Sequence, residues 1–159
     1  IEPNPDVFSQ LKSNRDCLIE NYAISNREGN MKFVKYSEIQ GHSGIYDTIK
    51  NKKLLKMRNH EIINVKTIKL NEILKKNNAP KFINYIDIDV EGHELECLES
   101  IDFSSYEFGI IGVEIGPGVQ EYHKIVNYLE NFGYQPFFLL GPDTLFCHPD
   151  NLESSTKLY

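Results

Sequence analysis

A change of hydrophobic period around residue 89 constrains the fold of this chain more than any other feature. Residues 82–88 (FINYIDI) are apolar and β-forming, as in a parallel strand that is covered on both faces. The following residues, EGHELECLESI, switch to helical spacing with their apolar side chains on one face. Asp89 and Glu91 lie at the junction. A strand that runs into a helix through acidic residues predicts one β–α unit of an α/β protein.

The rest of the chain repeats this alternation. A helix is expected to begin at Pro5 with Asn4 as its N-cap, and Gly133 is a suitable stop for a later helix. We expect a single α/β domain over residues 1–159, with a mostly parallel sheet and a terminal antiparallel hairpin. The predicted strands cover 17–25, 31–36, 62–68, 82–88, 108–115, 134–140 and 144–148. The later helices cover 70–74 and 118–132, and 37–60 is a long loop, with a short helix inside it as the alternative.

Composition narrows the classes of function. The chain has 159 residues and a net charge of −6, which argues against a general nucleic-acid binder. Cys17, Cys97 and Cys147 are far apart and odd in number, which is typical of free thiols in a reducing compartment. The apolar runs are too short to span a bilayer. We therefore expect a cytoplasmic protein, although a sequence that begins at Ile1 leaves targeting undecided.

Acidic residues end three of the predicted strands. Glu2, Asp89 and Glu114 each lie where a strand gives way to a helix or a loop. Since ligands of parallel α/β sheets bind outside the carboxyl ends of the strands, we expect these carboxylates to face one crevice. Asp89 and Glu114 are suited to share Mg²⁺, which prefers carboxylate oxygen. Glu2 is suited to accept hydrogen bonds from ribose hydroxyls, or else only favours the start of the following helix.

The residues around the junction suggest further roles. Glu91 is a candidate general base beside a metal, and the alternative is an ordinary acid in the first turn of a helix. His93 is a candidate to orient that base, bind the metal or relay a proton, and the alternative is a local hydrogen-bond partner. Asp87 has no assigned role. The segment GHSG, residues 41–44, is read as a flexible polar turn.

Six motifs follow one another between Ile1 and about Gly141: IEPNP, NYAISN, GHSG, VKTIKLNEIL, YIDIDVEGHELECLESIDF and IIGVEIG. Taken together and in this order, they resemble the FkbM family of S-adenosylmethionine-dependent methyltransferases. The resemblance implies a Rossmann-like three-layer sandwich and O-methylation of a hydroxyl, most often on a sugar, a glycan or another small molecule.

The resemblance also implies roles for individual residues. Glu2 would hold the cofactor ribose, Asn4 would line the cofactor side, and Ala23 would lie by the adenine. Asp89 would lie beneath the methyl-transfer centre. Metal-dependent sugar methyltransferases are similar in the order of their acids: a metal aspartate at this strand end, a base carboxylate two residues later and a further metal acid at the next strand end. This similarity implies Asp89 and Glu114 as ligands of Mg²⁺ or Mn²⁺, with Glu91 as the base.

One part of the family pattern has no counterpart in this sequence. The family begins with a strand and a glycine-rich loop of the VDVGANxG type, so we expect a domain that lacks its first strand, between the strands ending in Glu2 and Asp89. A catalytically inactive, methyltransferase-like binding domain is therefore an alternative. A phosphatase of the Asp-x-Asp type, with Asp87 as nucleophile, is another, but the motif lies late in the chain and Glu91 departs from its pattern.

Overall fold

The computed structural model describes residues 1–49, 52–115 and 118–151, in which helices and strands alternate. In chain order the elements are α1 (Pro5–Asn14), β1 (Ala23–Ile24), β2 (Gly29–Tyr36), a 3₁₀ turn (Gln40–His42), β3 (Gly44–Ile45), α2 (Leu54–Met57), β4 (His60–Ile68), α3 (Leu70–Lys76), β5 (Phe82–Ile88), α4 (Glu94–Leu98), β6 (Glu107–Glu114), α5 (Val119–Glu130), β7 (Gln135–Leu140) and β8 (Asp143–Cys147).

These strands form two separate sheets. Sheet A has the order β1-β4-β2-β3 and sheet B the order β5-β6-β8-β7. Only the pairs β1–β4 and β5–β6 are parallel, and the other four pairs are antiparallel. The α/β class is thus confirmed, whereas the described residues do not form the mostly parallel sheet that we expected. Only Gly141 and Pro142 connect β7 to β8, which fixes that pair as antiparallel, because a parallel pair needs a long crossover.

The main hydrophobic core lies on one face of sheet B. Helices α3, α4 and α5 cover this face and bury residues such as Leu98, Ile111, Leu129 and Phe146, all of which are inaccessible to solvent. The Tyr134 hydroxyl accepts the backbone N–H of Phe108 at 2.8 Å, which ties the segment after α5 to β6. This core fixes the strand ends from which the candidate site is built.

Strand β5 is the edge of sheet B, contrary to the expectation that it is buried on both faces. Phe82 is 46% exposed and Tyr85 is 52% exposed. The Tyr85 hydroxyl donates to Asp87 Oδ1 at 3.0 Å, so Asp87 has a local partner. Gly112 lies beneath this pair, and a Cβ built there would come within 2.7 Å of Asp87 Oδ1. We call the face that carries Tyr85, Asp87 and Gly112 the outer face of sheet B.

The outer face continues across the sheet as an apolar surface. Phe138 and Leu140 on β7 are more than half exposed, and the strand register places Phe138 beside Leu145 on this face. Gly109 on β6 has a different neighbour, because a Cβ there would come within 2.6 Å of the carbonyl oxygen of Asn84 in β5. The two glycines of β6 therefore face a flexible pair of side chains in one case and backbone in the other.

Most local predictions agree with these elements. Asn4 caps α1 as expected, with Oδ1 accepting the backbone N–H of Asp6 at 3.1 Å, and the terminal hairpin is present. The strand predicted over 17–25 is wrong except at Ala23–Ile24. Residues 17–22 form no strand, because they are largely exposed and do not join either sheet. The apolar residues of α1 are only partly buried.

Two expectations from composition can be compared with the structure. Cys17 is exposed, Cys97 and Cys147 are buried, and all three are free thiols as expected. None of the helices within residues 1–49, 52–115 and 118–151 combines the length and the apolar character needed to cross a membrane.

Candidate active site

A cavity of about 570 Å³ is lined by residues of both sheets. Sheet A contributes Ala23 and Ile24 from β1, and sheet B contributes Ile86 and Ile88 from β5. The residues that follow β5, including Asp89 and Glu91, complete one wall, and Glu2 lies in the lining as well. The cavity therefore opens at the carboxyl end of β5, where α/β folds place their ligands.

Three carboxylates meet at this strand end. Asp89 directly follows β5, Glu114 is the last residue of β6, and Glu91 lies two residues beyond Asp89. Because β5 and β6 are parallel neighbours, with Ile88 paired to Val113, their ends lie side by side. One carboxylate oxygen from each acid lies within 4.8 Å of the others. Such a set of hard oxygen donors fits Mg²⁺ or Mn²⁺ after small side-chain rotations.

The backbone turns sharply between the strand and the helix. Glu91 has a φ of +55° and Gly92 a φ of +110°, so two consecutive residues have left-handed conformations. For a residue with a side chain this conformation costs about 1–2 kcal/mol. The carboxylate of Glu94, a buried residue, accepts the Gly92 N–H at 2.9 Å and holds the turn. Strain of this kind is common where a side chain must be held in a functional position.

His93 is buried and joins three parts of the chain. It is 3% exposed, and its Nδ1 lies 3.0 Å from Thr48 Oγ1 while its Nε2 lies 3.1 Å from Ser25 Oγ. Burial lowers the pKa of the imidazole, and the nearby carboxylates of Glu96 and Glu94 oppose that change. A neutral ring that donates to one hydroxyl and accepts from the other satisfies this arrangement.

The residues expected on the cofactor side lie at different depths. Glu2 lines the cavity, and its Oε1 accepts the backbone N–H of Asn4 at 2.6 Å. Burial raises the pKa of the Glu2 carboxyl, and the hydrogen bond from Asn4 partly offsets this. Ala23 is buried at the start of β1 and lines the cavity too. Asn4 lies behind the wall, where its side chain caps α1.

The structure thus brings Asp89, Glu91 and Glu114 together as predicted. It also places in the site residues that no sequence pattern had indicated. Ser25 and Thr48 are separated from His93 by 68 and 45 residues, so no local spacing could have indicated these contacts. His42, which belongs to the segment GHSG, lies with Nδ1 3.3 Å from Glu91 Oε1.

These features define an α/β protein with a cluster of three carboxylates at the carboxyl ends of two neighbouring parallel strands. Over residues 1–136 the sequence matches the methyltransferase FkbM domain, and the chain belongs to that family. The resemblance noted in its motifs is therefore confirmed.

A curated relative with a described activity is also similar. The chain is 31% identical over 123 residues to the hexuronic acid methyltransferase AglP of Haloferax volcanii, an alignment that covers 74% of this chain and 46% of the relative. The chain thus spans about half the length of this relative. No solved structure matches the chain with significance.

Proposed function

We propose that the protein is an S-adenosylmethionine-dependent O-methyltransferase that acts on a hydroxyl of a sugar or glycan, with help from Mg²⁺ or Mn²⁺. The observation that carries this proposal is the convergence of Asp89, Glu91 and Glu114 within 4.8 Å of one another, with Asp89 and Glu91 in the lining of the cavity. Family membership supports methyl transfer, and the similarity to a hexuronic acid methyltransferase supports a sugar acceptor. The net charge of −6 remains an argument against nucleic acid as the acceptor.

The residues of the cavity wall support the cofactor contacts that we propose. Glu2 accepts hydrogen bonds from the two ribose hydroxyls, since a carboxylate is an acceptor with several lone pairs. Its attachment to the Asn4 amide fixes the direction of the carboxyl group. Ala23 leaves room for the adenine because its side chain is a single methyl group in the lining. The raised pKa of Glu2 reflects burial that hydroxyl donors would compensate.

The three carboxylates support the methyl-transfer steps that we propose. The acceptor hydroxyl gives its proton to Glu91 while its oxygen forms a bond to the methyl carbon, and S-adenosylhomocysteine departs. Asp89 and Glu114 would hold the metal ion, which when bound supplies positive charge that favours loss of the hydroxyl proton. The strained turn at Glu91 keeps the base beside these acids. Most of the rate enhancement then comes from positioning, because the methyl donor is already activated.

The test uses the full-length protein and methyl-labelled S-adenosylmethionine. Oligosaccharides with and without a hexuronic acid residue serve as acceptors, and the labelled product is located by mass spectrometry. We expect Glu91→Gln to lower kcat by about 10²–10⁴-fold, the usual contribution of a general base. Glu130→Gln, at an exposed position on α5, is the matched control and should have no effect.

Further measurements test the need for a metal ion and the alternative that the protein is a catalytically inactive binding domain. Chelation should abolish transfer, and added Mg²⁺ or Mn²⁺ should restore it; unchanged activity in chelator would refute metal assistance. Asp89→Asn should weaken metal binding measured by calorimetry. If the protein binds S-adenosylhomocysteine but methylates none of the acceptors, it is a binding domain and the proposed activity is wrong.

A further inference from the structure

A short segment that lies against the turn at Glu91 contributes to the site a residue with no role assigned so far, His42. We call residues 39–45 the strap; it comprises the 3₁₀ turn Gln40–His42, Ser43 and strand β3. Gln40, Gly41 and Ser43 line the cavity. The Ser43 hydroxyl accepts the backbone N–H of Tyr36 at 3.1 Å, which anchors the strap to the end of β2. The strap is thus part of the cavity wall next to Glu91.

The strap packs closely against Glu91. A Cβ built on Gly44 would lie 3.1 Å from Glu91 Cβ and 3.4 Å from the Glu91 carbonyl oxygen, so a larger residue would push the two segments apart. His42 approaches the same side chain at its far end, with Nδ1 3.3 Å from Oε1. Glu91 is therefore held at both ends of its side chain by one segment of sheet A.

From this geometry we propose that His42 is a positioning residue that orients the Glu91 carboxylate toward the acceptor hydroxyl. The inference rests on the proposed role of Glu91 as the base. A glutamate side chain has several rotatable bonds, and a base works only within hydrogen-bond reach of the proton it removes. A contact that restricts those bonds raises the fraction of time the carboxylate spends in the productive position.

Exposure distinguishes this role from one in folding. The His42 side chain is 59% exposed, whereas that of Glu91 is 16% exposed. Contacts of this kind with an exposed partner contribute little to stability, because water screens them. Loss of His42 should therefore affect catalysis much more than the free energy of unfolding.

The experiment compares three substitutions of His42 in the full-length protein. His42→Ala removes the contact, and kcat should fall roughly tenfold, a modest loss for a misplaced catalytic group. KM for S-adenosylmethionine should stay unchanged, because the cofactor side is intact. His42→Asn should restore most of kcat, since its amide nitrogen takes nearly the place of Nδ1, whereas His42→Gln should not. His123→Ala, an exposed histidine on α5, is the control.

A second measurement does not depend on activity. In NMR spectra at fixed pH, Glu91→Gln should shift the imidazole resonances of His42 and leave those of His123 unchanged. The absence of a shift at His42 would overturn the proposal, as would equal kcat values for the wild type and His42→Ala. If the shift is observed but no sugar is methylated, the proposed function fails while the contact between His42 and Glu91 stands.

Discussion

Removal of the buried imidazole of His93 should destabilise the whole site, and the size of the effect follows from its contacts. The ring bonds to the hydroxyls of Thr48 and Ser25 and is 3% exposed. Each neutral hydrogen bond contributes about 1 kcal/mol. The space left by the ring adds roughly 1 kcal/mol or more. We therefore expect His93→Ala to lower the free energy of unfolding by about 3 kcal/mol.

Urea unfolding of the full-length protein measures this loss. The midpoint should fall with little change in the m-value. His123→Ala is exposed and should stay within about 0.5 kcal/mol of wild type. A double-mutant cycle sharpens the test, because Ser25→Ala should lower stability by about 1 kcal/mol in wild type and by almost nothing in His93→Ala. A loss below about 1 kcal/mol for His93→Ala, or an equal effect of Ser25→Ala in both backgrounds, would refute the reasoning.

Three further predictions concern pH, packing and thiol chemistry. The pKa of His93 is below its ordinary value of 6.5 in the fold, so the unfolded chain binds the proton at a higher pH than the folded protein does. The free energy of unfolding should therefore decline as pH falls below about 6.5, and this decline should be smaller in His93→Gln. Gly109→Ala should destabilise by about 1–3 kcal/mol because it meets backbone, whereas Gly112→Ala meets movable side chains and should be nearly neutral in the same urea titration. Cys17 should react rapidly with a thiol reagent while Cys97, whose pKa burial raises to about 12, should react only on unfolding, as peptide mass mapping would show.

Local features of the sequence were sufficient for part of this structure. The cap at Asn4 and the change of period after β5 depend on neighbouring residues, and both were predicted correctly. The convergence of Asp89 and Glu114 was also predictable, because both acids end strands and the ends of adjacent parallel strands meet.

The features that were missed depend on distant parts of the chain. The sequence of β5 resembles that of a central strand, and only the pairing of the whole sheet shows that it is an edge. The partners of His93 come from two other segments, so its burial could not be inferred from local spacing. The left-handed turn at Glu91 was hidden for a different reason, because glutamate carries no signature of positive φ.

That turn implies a conflict between stability and activity at one position. Asparagine and aspartate adopt positive φ several times more readily than other residues that carry a side chain. Replacement of Glu91 by asparagine should therefore relieve backbone strain while it removes the carboxylate that we propose as the base. The strain at this position would then accompany the retention of a glutamate side chain in that role.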